Sequence, residues 1–154
     1  MKMDIGISKD DRTAIADALS QVLADTYALY MKTHNYHWNV EGPQFSAYHA
    51  MFELQYTELW AALDEIAERI RSLGLYAPAV SEIYERSGIK QDTAIPSAND
   101  MIANLVADNE TVVRAARDAL KLAGDKDDDA TADLMTQRAA ASEKAAWMLR
   151  SHIA

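Results

Sequence analysis

Residues 43–74 read PQFSAYHAMFELQYTELWAALDEIAERIRSLG, and the spacing of side chains in this stretch decides the fold class. Phe45, Tyr48, Phe52, Gln55, Leu59, Leu63, Ile66, Ile70 and Leu73 follow one another at intervals of three or four, which is the period of one face of an α-helix. A strand cannot use this pattern, because its successive side chains point to opposite faces. Gly42-Pro43 breaks whatever precedes the stretch and lets Pro43 open a helix, while Gly74 is a natural stop. One residue further round lies a second stripe of His49, Glu53, Tyr56, Trp60, Asp64, Ala67, Glu68 and Arg71. A helix of a lone bundle buries one face only, so Tyr56 and Trp60 on the second stripe imply cover by another subunit.

Working outward, Ser8 and Asp11 form an S-x-x-D cap for a helix over Lys9 to Trp38, with Ile15, Leu19, Val22, Leu23, Leu29 and Tyr30 as its apolar positions. That helix stops at Asn39-Val40-Glu41-Gly42-Pro43. Leu75 to Pro96 is irregular, with Pro78 and Gly88 bracketing a short helix at Val80 to Arg86. Ser97 and Asp100 cap a third long helix over Met101 to Ala123, with Ile102, Leu105, Val112, Ala116 and Leu120 on one face. A polar loop, 124–128, leads to the last helix, Asp129 to His152. Four long helices in two pairs, joined by a long crossover carrying a short helix, describe an all-α, ferritin-like four-helix bundle. The expectation is one domain over 1–154 with a short tail at about 1–8.

Composition agrees. The chain has 154 residues, 49% of them hydrophobic, with only 5 Gly and 3 Pro, too little punctuation for a many-stranded fold. Cys is absent, which excludes disulfides, cysteine zinc sites and a thiol nucleophile. Asp+Glu of 24 against Lys+Arg of 15 gives a net charge of -9, which draws cations and disfavours phosphate partners. No leader pattern and no run near the roughly 20 apolar residues of a membrane span is visible, so a soluble, cytoplasmic protein without membrane partners is expected.

The second stripe carries the chemistry. His49 with Glu53, and Asp64 with Glu68, are i,i+4 pairs that each aim two metal-ligand types at one spot. The pairs share a helix face, but eleven residues at ~1.5 Å each separate them by about 16 Å, so one ion cannot touch both on one chain. Two such helices packed antiparallel across a twofold axis place His49 and Glu53 of one chain opposite Asp64 and Glu68 of the other, giving two identical sites per dimer. His37, on the continuation of the Ile15, Leu19, Thr26, Tyr30 stripe, could complete each site. Two imidazoles and three carboxylates suit iron or zinc and differ from the all-oxygen cages of calcium.

Taken singly, each residue has an ordinary explanation, as a satisfied core histidine or a solvated acidic pair; the joint pattern is what points to metal. No E-x-x-H occurs in the chain, so the usual intrachain di-iron arrangement of carboxylate bundles is not available. His34 reads as interfacial rather than as a hydrogen-bond partner of the site, and His152 as structural or exposed. Asp125, Asp127, Asp128, Asp129 and Asp133 are most simply a charge cluster at the start of the last helix.

The run Lys32-Thr33-His34-Asn35-Tyr36-His37-Trp38-Asn39-Val40-Glu41-Gly42-Pro43, with Phe45, His49, Phe52-Glu53 and the segment from Asp64 to Gly74, strongly resembles the Dps family of mini-ferritins. The resemblance implies a hollow shell of twelve subunits, a homododecamer, with ferroxidase centres at its twofold interfaces. These would oxidise Fe(II) to Fe(III), preferentially with hydrogen peroxide, and store ferric mineral inside. It implies His37, His49 and Glu53 from one subunit and Asp64 and Glu68 from its neighbour as catalytic metal ligands. Family members carry Asp or Glu at the position of Glu53. It also places Trp38 beside the centre and the acidic run near threefold iron-entry pores. DNA compaction, for which the family is named, commonly uses a Lys-rich terminal extension. Here residues 1–12 hold Lys2, Lys9 and Arg12 against Asp4, Asp10 and Asp11, so DNA binding is the disfavoured alternative.

Overall fold

Ser8 and Ser97 accept hydrogen bonds from the backbone N–H of Asp11 and Asp100, at 3.1 and 3.2 Å, and start two helices where the S-x-x-D patterns place them. The computed structural model describes residues 2–154 and holds α1 (Lys9–Asn39), α2 (Phe45–Ser72), α3 (Val80–Arg86), α4 (Ala98–Asp125) and α5 (Asp129–Arg150), with no strand among the described residues. The short crossover helix α3 has the bounds expected of it. Helix α2 begins at Phe45 rather than Pro43, because the chain first closes a turn in which Gly42, at φ +113°, accepts from Phe45 N–H at 3.0 Å. Helix α4 starts three residues before Met101, since its cap is Ser97. Helix α5 ends at Arg150, and His152 lies in a turn bonded to Leu149. No described helix is long and apolar enough to cross a membrane.

Helix α1 packs on α2 and α4, and α4 on α5, around two apolar clusters stacked along the bundle. One end is built on Leu29, Tyr36, Phe52 and Leu105; the other on Ile15, Leu19, Ile66, Ile70 and Met135. Burying a side chain the size of Ile66 or Ile70 contributes about 1.5–3 kcal/mol each, and both are fully buried on the expected stripe of α2. Phe45, at the head of that stripe, is 43% exposed, because it precedes the first full turn that α1 covers. Gly74, at φ +88°, ends α2; a Cβ there would sit 2.8 Å from Nη1 of Arg12, whose guanidinium donates to the Leu73 carbonyl at 2.7 Å.

Polar side chains pin the crossover to the bundle. Asp25, 2% exposed, accepts from Gly88 N–H at 2.7 Å. Lys32 donates to the Lys90 carbonyl at 2.8 Å and pairs with Asp108 at 2.9 Å. Burial pushes the Asp108 carboxyl above its ordinary value even though Lys32 opposes this. The Tyr36 hydroxyl donates to Asp92 at 2.5 Å and accepts from Asn104 at 3.1 Å.

Asp128 departs from the acidic run to which it belongs. It is buried, caps α5 through Thr131 N–H at 3.0 Å, and pairs with Arg69 of α2 at 2.8 Å. Burial works to raise its carboxyl, but hydrogen bonds from Thr131 and Arg69 outweigh that and hold it below the ordinary 3.8. Asp125, Asp127, Asp129 and Asp133 remain exposed. A depressed folded-state value means that the unfolded chain binds the proton more readily, so this stabilisation is present above pH 3.8 and fades as the pH falls through the folded value. Asp128→Ala is expected to lower unfolding stability in denaturant titrations by about 2 kcal/mol at neutral pH, and the deficit should shrink in acid.

Candidate metal centre

The turn between α1 and α2 brings His37, in the last turn of α1, against His49, in the first turns of α2. Their rings stack with centroids 3.7 Å apart and planes 15° from parallel. Each ring also bonds the other residue's backbone: His37 Nδ1–H donates to the His49 carbonyl at 2.8 Å, and His49 Nδ1–H donates to the His37 carbonyl at 2.7 Å. A carbonyl can only accept, so both Nδ1 atoms carry hydrogen. In the neutral imidazoles Nε2 then holds the free lone pair, the state a metal ligand requires.

Aromatic side chains enclose this pair. Phe45 stacks on His49 at 4.9 Å, and Tyr56 sets its edge against His37 at 5.2 Å. Tyr56 is itself stacked on His34, with centroids 3.9 Å apart, and the Tyr30 hydroxyl bonds His34 Nδ1 at 3.1 Å. Burial, with a smaller contribution from His37, lowers the His34 pKa, which favours a neutral ring. His34 thus positions Tyr56 and makes no hydrogen bond to His37. Trp38 lies 4.4 Å from His34 and is 61% exposed, so within the chain it is not a buried anchor. His152 is exposed and sets its ring against Tyr48 at 5.2 Å, far from any expected ligand in the sequence. The role of Phe45 was hidden in the sequence by its place on the core stripe; its i,i+4 spacing to His49 was the available signal.

The carboxylates stand apart from the imidazole pair. Glu53, Asp64 and Glu68 are exposed, and among the described residues their side chains make no hydrogen bond or ion pair. Asp64 borders a groove with Trp60, Leu63, Ala67 and Pro78 on the exposed side of α2. Among the described residues no three His, Asp or Glu side chains of the single chain gather into a group that could hold a metal ion. The chain therefore holds His37 and His49 together, with Glu53 one turn beyond them, and places Asp64 and Glu68 further along the same helix.

The tautomer follows from geometry alone and is measurable. In iron-free protein at alkaline pH, nitrogen chemical shifts should report Nδ1–H, Nε2-unprotonated rings for both His37 and His49, whereas His152 should show the Nε2–H form dominant in free imidazole.

Residues 16–154 match the ferritin-like domain model of the ferritin family. The chain is 41% identical over 155 residues to an uncharacterised low-temperature-induced protein of Nostoc, covering 99% of this chain and 87% of that one. It is 37% identical over 140 residues to the DNA protection during starvation protein of Brevibacillus brevis, covering 90% of this chain and 94% of that one. Its fold superposes with a TM-score of 0.93 on the crystal structure of a Dps protein from Vibrio cholerae, described as a member of a broad superfamily of ferritin-like diiron-carboxylate proteins, at 33% identity and covering 100% and 98% of the two chains. With sequence and fold in agreement over nearly the whole length, the chain belongs to the Dps family of ferritin-like proteins.

Proposed function

We propose that this protein is a ferroxidase that oxidises Fe(II), preferably with hydrogen peroxide, at di-iron sites shared between subunits, and stores the ferric product inside a hollow homododecamer in the cytoplasm. His37, His49 and Glu53 of one subunit and Asp64 and Glu68 of its twofold neighbour form each site. The observation that carries this reading is the reciprocal lock between His37 and His49: two imidazoles are held with Nε2 free, while among the described residues no three ligand-type side chains gather on the single chain. Exposed Trp60 and Asp64 on the adjoining surface of α2 supply a face that a second α2 can cover.

Iron enters this scheme as substrate. Imidazole nitrogen tunes affinity for Fe(II), and carboxylate oxygen tolerates the harder Fe(III) product. Two Fe(II) each give one electron to one peroxide, which takes up two protons and leaves as two waters; no hydroxyl radical is released. Oxidation then detoxifies peroxide and immobilises iron in one reaction, limiting oxidative damage. The chain's -9 charge favours movement of Fe(II) toward the protein, and exposed carboxylates such as Asp125, Asp129 and Asp133 are candidates for guiding it.

A His37→Ala, Asp64→Ala double variant should oxidise Fe(II) at least about tenfold more slowly than wild type, followed optically with peroxide and with oxygen; equal rates would overturn the assignment. Sharing of sites has its own test. Subunits carrying only His37→Ala and subunits carrying only Asp64→Ala, dissociated and reassembled together, should regain about a quarter of wild-type activity. Half of the random dimers are then mixed, and each mixed dimer has one intact site of two. Sites confined to one chain would regain none.

DNA binding is the second reading, favoured by the DNA-protection names of relatives from Brevibacillus brevis and Bacillus anthracis. Charge opposes it, and among the cations of residues 1–12 Arg12 is already engaged by the Leu73 carbonyl at 2.7 Å. Iron-free protein is expected to leave duplex DNA unretarded in a low-salt gel; tight, salt-sensitive retardation would reverse the order of the two readings.

A further inference from the structure

Aromatic rings run in file away from the imidazole pair, between α1 and α2. Tyr56 sets its edge against His37 with centroids 5.2 Å apart, Tyr30 meets Tyr56 edge to face at 6.3 Å, and Tyr27 meets Tyr30 in the same way at 6.3 Å. The file follows from spacing. Tyr27, Tyr30 and His34 lie three and four residues apart on α1 and so share one face, while Tyr56 reaches them from α2. All three tyrosines are half-buried, and Tyr27 also borders the groove that holds Trp60 and Asp64. The ten residues from Tyr27 to His37 cover about 15 Å of α1, so the rings link places that no direct contact joins.

Edge-to-face packing accounts for the rings but not for their hydroxyls, since Phe would pack equally well. The Tyr30 hydroxyl lies 3.1 Å from His34 Nδ1. Burial raises the Tyr30 pKa, which keeps the phenol protonated, and lowers that of His34, which keeps the ring neutral. A neutral ring can accept at Nδ1, so the Tyr30 O–H has a proton acceptor in place. Around it, His34 meets the rings of Tyr30, Tyr56, His37 and Trp38. A phenol gives up an electron far more easily when its proton can leave in the same step, which makes Tyr30 the readily oxidised member of the file.

We propose that Tyr56, Tyr30 and Tyr27 carry an electron between the two iron sites of a twofold dimer, so that two Fe(II) held singly in separate sites can still reduce one hydrogen peroxide. The path rests on the shared-site reading: within one chain it starts at His37, a ligand of one site, and ends beside Asp64, which serves the other. Peroxide takes one electron from the Fe(II) beside it and one from Tyr30 by way of Tyr56; with two protons from solvent it leaves as two waters. The Tyr30 proton moves to His34 Nδ1. Fe(II) at the second site then returns an electron through Tyr27, and the proton moves back. In sum, two Fe(II) are oxidised, one peroxide and two protons are consumed, and tyrosine is unchanged. Without the path a lone Fe(II) supplies one electron only, and cleavage of the O–O bond leaves a hydroxyl radical.

Freeze-quench electron paramagnetic resonance on the assembled protein tests this, with Fe(II) added anaerobically at one ion per dimer or one per chain, followed by one peroxide per dimer. At one ion per dimer the wild type should show a tyrosyl signal; at one per chain that signal should decay as the second Fe(II) is oxidised. Tyr30→Phe keeps the ring and removes the proton step, so the signal should be lost and a spin trap should report hydroxyl radical instead. Tyr27→Phe should form the signal normally but lose its decay at one ion per chain. With both sites saturated, both variants should oxidise Fe(II) at the wild-type rate. A tyrosyl signal that survives in Tyr30→Phe, a radical confined to Trp38, or a decay that Tyr27→Phe leaves unchanged would each overturn the proposal. Wild type that oxidises Fe(II) at saturation without a tyrosyl signal at low loading sinks the path alone, whereas wild type inert at every loading sinks the shared-site reading and the path with it.

Discussion

The exchange of hydrogen bonds between His37 and His49 is the constraint around which the α1–α2 end of the bundle is arranged. It joins the end of α1 to the start of α2 through two imidazole-to-carbonyl bonds, so the turn over residues 40–44 cannot open without breaking both. The same bonds consume the Nδ1 hydrogens and leave Nε2 free. Closing the turn and leaving both Nε2 lone pairs unused are thus one interaction, and Phe45, Tyr56 and, behind Tyr56, His34 wall it on its aromatic sides.

Such a lock is useful only if α1 and α2 keep their register over the length of the bundle. Apolar burial supplies most of that, but a few buried polar groups decide where the long connection runs. Asp25, Lys32 and Tyr36, all on α1, each bind the crossover between residues 88 and 92. On the far side, Asp128 joins the start of α5 to Arg69 of α2. Each of these groups would be costly to bury unpaired, and each pairing fixes one path for the chain. The loosest pairing, α2 with α5, is where small residues face larger ones and where the bundle leaves a cleft.

Much of this was legible in the sequence because it depends on local rules. Helix spacing, two serine caps and the Gly74 stop fixed the elements to within a few residues, and the resemblance carried by His34 to Pro43 and Asp64 to Gly74 agrees with the family found by comparison. The i,i+4 arithmetic set His49 and Glu53 apart from Asp64 and Glu68 along α2, and among the described residues no three such side chains gather on the single chain. Asp128 and Phe45 show where local rules stop. Asp128 was placed correctly at the start of the last helix, but its capture by Arg69, 59 residues away in sequence, was not visible there. Phe45 continued an apolar stripe beyond the point at which α1 still covers it.

The sequence by itself determined an all-helical chain, a stripe of ligand-type residues on one face of α2, and a surplus of negative charge, since period, composition and charge are properties of neighbours along the chain. Only the tertiary structure decided which atoms of those residues are available. The reciprocal tautomer lock and the capture of Asp128 by Arg69 both require partners from different helices. Hydrogen bonds act over about 3 Å, and no spacing rule along one helix specifies which distant group the fold will bring that close.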